Sequence, residues 1–140
     1  MNSETQTRGQ LERTLSQRIR ALYRTQLGQQ PSRVQCQIFD GKVVIVLEDS
    51  ITKTEQVLVA SGQEKLAEQV RDDLDKAFNP QLTKLIQEVI GIEVVDILTD
   101  ATLKTGRTGT IAVLADTPQF RESQATRKLK SDAEDAEDAE

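Results

Sequence analysis

The stretch Arg33-Val34-Gln35-Cys36-Gln37-Ile38-Phe39-Asp40-Gly41-Lys42-Val43-Val44-Ile45-Val46-Leu47-Glu48 decides the fold class. Its first half alternates apolar and polar residues, the period of a half-buried strand, and sets Cys36 on one face with Val34 and Ile38. Asp40-Gly41 supplies two residues that tolerate positive φ, the mark of a two-residue hairpin turn. The second half, Val43 to Leu47, is apolar at every position. Such a strand belongs inside a sheet, covered on both faces by helices or by a second subunit. Strands are therefore predicted over about 33–39 and 42–48.

Upstream, Leu11, Leu15, Ile19, Leu22 and Leu27, with Tyr23 beside them, recur at three- and four-residue spacing and predict a helix from Gly9 that Gly28 ends. Arg13, Arg18, Arg20 and Arg24 occupy other positions on it. They read either as a solvated face or as a basic face for anionic lipid or an acidic partner. Downstream, Thr52-Lys53-Thr54-Glu55 and Ser61-Gly62-Gln63-Glu64 both match a capping box. They predict a short helix at 52–60 and a longer one at 62–78 with the stripe Leu66, Val70, Leu74 and Phe78. Asn79-Pro80 reads as a stop and restart, giving a third helix lined by Leu82, Leu85, Ile86, Val89 and Ile90 and ended by Gly91. Ile92 to Leu98 and Thr110 to Ala115 read as strands, joined by a long polar loop, Thr99 to Gly109. The order is α-β-β-α-α-α-β-β, an α+β domain with a four-stranded, mostly antiparallel sheet packed with helices. Residues 1–8 are expected to be a flexible N-terminus and 9–116 a single domain. Residues 117–140, ending in three Asp-Ala-Glu units, are expected to be a disordered acidic tail.

Composition narrows the chemistry. The 140 residues include no histidine, which removes the usual general base and imidazole ligand. Cys36 is the only cysteine, so no internal disulfide forms, and its face suggests a packing role. Residues 1–39 carry net +4, residues 40–116 net −6 and residues 117–140 net −3. An acidic chain with one basic end and 3% aromatic residues argues against nucleic-acid binding. Mean hydropathy is −0.49, and no apolar run approaches the ~20 residues of a membrane span. The N-terminus lacks a signal pattern, so a cytoplasmic location is expected. Gly106-Arg107-Thr108-Gly109 lacks the spacing and Lys-Ser/Thr end of a phosphate loop. It reads as a hairpin connection in which Arg107, with Asp100 and Thr105, is a candidate ligand site for an anion. Asp72, Asp73 and Asp75 read as a solvated helix face rather than a metal site. No catalytic set, metal site or cofactor site is found, and no enzyme activity is expected. The unusual amount of apolar surface on the first helix and second strand predicts a homodimer.

A set of stretches stands out: Gly9-Gln10-Leu11, Tyr23-Arg24-Thr25-Gln26-Leu27-Gly28 with Pro31, Val43 to Leu47, Leu58, Arg71 and Phe78. Ile90-Gly91-Ile92-Glu93-Val94-Val95 and Thr99-Asp100 complete the set. Together they resemble the prokaryotic MpsC-like family, a domain of unknown function labelled after a Na+-translocating membrane-potential-generating system. The resemblance covers about residues 9–116. Thr99 stands where the family tends to have Ser, and the acidic tail is extra. The family carries no catalytic residues to transfer. The resemblance implies an accessory or regulatory protein docked to a membrane ion-transport or energy-coupling system, at the inner face of the membrane, with a membrane protein as partner. The alternative is a homodimeric sensor of a small anionic ligand.

Overall fold

Thr7 starts the first helix. Its hydroxyl accepts from the Gln10 N–H at 3.1 Å, and the Gln10 side chain accepts from the Thr7 N–H at 2.8 Å, closing a capping box. The computed structural model describes residues 6–121. Its elements are α1 (Arg8–Leu27), β1 (Arg33–Phe39), β2 (Lys42–Glu48), α2 (Lys53–Ala60), α3 (Glu64–Ile90), β3 (Val94–Thr102) and β4 (Arg107–Leu114). The four strands form one antiparallel sheet in the order β1-β2-β4-β3. The fold is α+β, as the periodicity predicts.

The local signals act where they stand. Gly28 caps α1 at φ 69°, and Asp40 and Gly41 turn the β1–β2 hairpin at φ 47° and 70°. The Thr52–Glu55 box opens α2. Leu11, Leu15, Ile19 and Tyr23 of α1 join Val34, Ile38, Val43, Ile45 and Leu47 of the hairpin and Phe78, Leu82, Leu85 and Ile86 of α3 in one core. Each fully buried aliphatic side chain contributes about 1.5–3 kcal/mol relative to exposure.

The fold departs from the sequence reading in four places. First, the two helices expected at 62–78 and 80–90 are one helix, α3, with Pro80 inside it. Proline withholds its hydrogen bond from the Lys76 carbonyl, but both residues are exposed, so water can serve that carbonyl. The continuous apolar face through Phe78, Leu82, Leu85 and Ile86 carries the helix across. Asn79 is not a cap; its side-chain oxygen accepts from the Thr99 hydroxyl at 3.4 Å.

Second, the Ser61–Glu64 box does not form. Ser61 closes α2 instead, donating its N–H to the Val57 carbonyl at 2.9 Å, and α3 begins after Gln63 without a side-chain cap. Third, the long 99–109 loop is mostly ladder. Thr99 pairs with Thr110, Ala101 with Thr108 and Thr102 with Arg107, leaving 103–106 as the turn. These polar strand ends give no hydrophobic signal, and their pairing is imposed by β2, which holds β4 as far as Leu47–Thr108. The turn is tied down: Gly106 (φ 76°) accepts at its carbonyl from the Ser50 N–H at 2.8 Å and the Ser50 hydroxyl at 3.0 Å.

Fourth, the helices cover only one face of β2. Val43 and Ile45 are fully buried on that face, while Val44 and Val46 are half-buried on the other. Beyond β4, Pro118 is buried and Phe120 packs on the core. The rest of the expected tail, residues 122–140, lies outside the described residues, as do residues 1–5.

Candidate functional site

The most concentrated polar chemistry lies where α1, α2 and α3 meet the end of β2. Arg71 of α3 is 3% exposed. Its Nε and Nη2 donate to the two carboxylate oxygens of Glu55 at 2.8 and 2.6 Å, a bidentate pair. Nη1 donates to the Tyr23 hydroxyl at 2.8 Å and to Asp75 at 3.3 Å, and Nη2 also donates to the Ser50 carbonyl at 3.1 Å. Tyr23 in turn donates to that carbonyl at 3.2 Å. All five guanidinium N–H groups are thereby engaged. No buried side-chain nitrogen or oxygen among the described residues lacks a partner.

Burial disfavours the Arg71 charge, but the hydrogen bonds and charge of Glu55, with Tyr23, hold its pKa above the ordinary arginine range. A guanidinium so committed cannot receive a ligand. It clamps α1 and α2 to α3 and to the loop that follows β2.

Sequence reasoning named Arg71 only within the resemblance and Glu55 only as a cap. Glu55 does both: its Oε1 also accepts from the Thr52 N–H at 3.1 Å and the Thr52 hydroxyl at 2.8 Å. The missed signal is that Arg71 falls four residues after Ala67 and seven before Phe78, on the buried face of α3. The expected stripe is thus turned by about one residue: Leu66 is 50% exposed, whereas Ala67 is fully buried.

Asp75, at the edge of this cluster, has its carboxyl pKa raised by burial, which Arg71 offsets only in part. A folded-state pKa above the unfolded one stabilises the fold fully below the unfolded value, and that contribution is lost as pH rises through the folded value. Asp75→Asn removes it. The urea midpoint of the variant should therefore fall less steeply than that of wild type as pH rises above the ordinary aspartate value of about 4. Parallel profiles for the two proteins would count against the assignment.

Next to the cluster, a cavity of about 380 Å³ opens between α3 and the β3–β4 turn. Glu64, Glu68, Asp72 and Asp100 line it, against Lys104 and the already paired Arg71. That charge balance repels anions. Asp100 faces it without Thr105 or Arg107. Thr105 bonds within the turn, to the Thr102 carbonyl at 3.4 Å, and Arg107 pairs with Glu48 at 2.7 Å. The Glu48 carboxylate thereby occupies the Nε of Arg107 and offsets its charge. No three Asp, Glu or Cys side chains among the described residues are grouped to hold a metal ion. The Cys36 thiol is pushed up to about 11 by burial, beyond what a nucleophile near neutral pH requires.

The arginines of α1 divide into two sets. Arg18 turns toward α3 and pairs with Glu88 at 2.8 Å, which lowers the pKa of that carboxyl. Arg13, Arg20 and Arg24, seven and four residues apart, share the side away from the buried stripe. Arg20 holds the Pro31 carbonyl at 3.2 Å. Arg13 and Arg24 are exposed and make no ion pair with any described residue.

No helix among the described residues is long and apolar enough to cross a membrane. A comparison with curated proteins finds no match, and neither does one with solved structures. A family model does match over residues 7–116: that of MpsC, described as a Na+-translocating membrane potential-generating system. The matched span runs from the capping residue of α1 to just past β4 and takes in the Arg71–Glu55 clamp, and the chain belongs to the MpsC family.

Proposed function

We propose that this chain is a non-catalytic accessory or regulatory component that docks on a membrane ion-transport or energy-coupling assembly from the cytoplasmic side. The observation that carries the reading is the pair of exposed arginines, Arg13 and Arg24, on one side of α1 in a member of a family named for a membrane-potential-generating system. Two exposed guanidinium groups on one helix, paired with no described carboxylate, suit an acidic surface on an integral-membrane partner, since Arg forms directed bonds to carboxylates.

The test is co-sedimentation of the full-length chain with native membranes. Arg13→Glu/Arg24→Glu, with Arg20 left to hold the Pro31 carbonyl, should bind at least tenfold more weakly. Each arginine near an anionic surface contributes about 1 kcal/mol, against ~1.4 kcal/mol per decade of affinity. Circular dichroism confirms that the variant is folded. Unchanged binding would reduce the pair to a solvated face. Equal binding to protein-free anionic vesicles would replace the protein partner with lipid.

A further inference from the structure

We propose that the outer face of the sheet is a two-fold interface with a second copy of this chain, with the β1–β2 half of one copy lying over the β4–β3 half of the other. This face carries Val44, Val46, Ile111 and Leu98 at its centre, and nothing in the described chain covers it. Leu98 is 55% exposed and Ile111 40%. Between them lies a depression of about 540 Å³ over Gly109, where a Cβ would meet no other atom within 4 Å. Apolar side chains gathered on one open face of a sheet favour association through that face.

The charges select the occupant. Arg33 and Lys42 stand on the β1–β2 side of the face, whereas Asp96 and Asp100 stand on β3; Glu48 and Arg107 pair with each other across β2 and β4. One half of the face is thus net positive and the other net negative, so it complements itself. A two-fold axis along the strands lays β1 over the second copy's β3 and β2 over its β4. The ladder register then brings Asp96 of one copy over Phe39 of the other, where the Lys42 ammonium lies 6.0 Å from the ring centre. Asp100 comes over Gln35, beside Arg33. A two-fold axis across the strands stacks β3 on β3 and sets the aspartates together, which like-charge repulsion disfavours. The helix α1 packs on the opposite face, so this interface and the arginine pair are separate surfaces.

Sedimentation velocity of the full-length chain across a concentration series tests the proposal. Wild type should be a dimer. Ile111→Lys should weaken it at least tenfold while circular dichroism stays native, and Leu98→Lys serves if that variant does not fold. Lys42→Asp and Asp96→Lys should each weaken the dimer, and the double swap should restore it, because each copy then carries the inverted pair. A wild-type monomer throughout the series overturns the proposal. So does a dimer indifferent to the apolar variants, or one that the double swap fails to restore.

Discussion

Replacing Arg71 with Met should cost about 3–5 kcal/mol of folding stability, the range for breaking a buried ion pair from one side. The loss comes less from the missing attraction than from what remains: the Glu55 carboxylate, fully buried, faces an apolar side chain. Glu55→Gln should also be destabilising, because it leaves the Arg71 charge buried with only the more distant Asp75 as a counter-ion. The double variant Glu55→Gln/Arg71→Met should be less destabilised than the sum of the two, since it leaves neither charge alone. Urea unfolding followed by circular dichroism gives all three values. A loss under about 1 kcal/mol for Arg71→Met would mean that the pair is solvated and holds nothing together.

The second large effect separates two neighbours on β2. Ile45→Ala should cost about 2–5 kcal/mol, because the side chain is fully buried between sheet and helices and its removal leaves a cavity. Val44→Ala, one residue away on the other face, should cost under about 1 kcal/mol when unfolding is followed at low protein concentration. If the outer face binds a second copy, the Val44 effect should grow with protein concentration while the Ile45 effect stays constant. Equal losses at both positions would show that the outer face is packed within the chain after all.

Much of the architecture was legible because its signals are local. Gly28, Asp40-Gly41 and the Thr52–Glu55 box each act within a turn of the residues that carry them, and the apolar spacing of Leu11 to Tyr23 needs only one buried side. The family was legible as well, since the matched stretches extend through the same domain. Proline at 80 misled because its local preference is real but small beside the packing of Phe78, Leu82, Leu85 and Ile86. The 99–109 segment misled for the opposite reason. Threonines and glycines announce no burial, and only a partner strand already in register makes them a ladder.

The candidate surfaces follow the same division. The exposed arginines of α1 could be placed from helical spacing alone, because which side of a helix is dry follows from its apolar residues. That Arg18 belongs to Glu88 and Arg107 to Glu48 could not, since those partners are brought together by α3 and by the sheet. Glu55 and Arg71 lie 16 residues apart, and their bidentate contact exists only because α2 folds back on α3 beneath Tyr23. Backbone preferences and apolar periodicity thus specify the pieces of this protein, one turn or strand at a time. Which charges are buried together, and which apolar face is left bare, depends on contacts between residues distant along the chain, and local preferences carry no information about those.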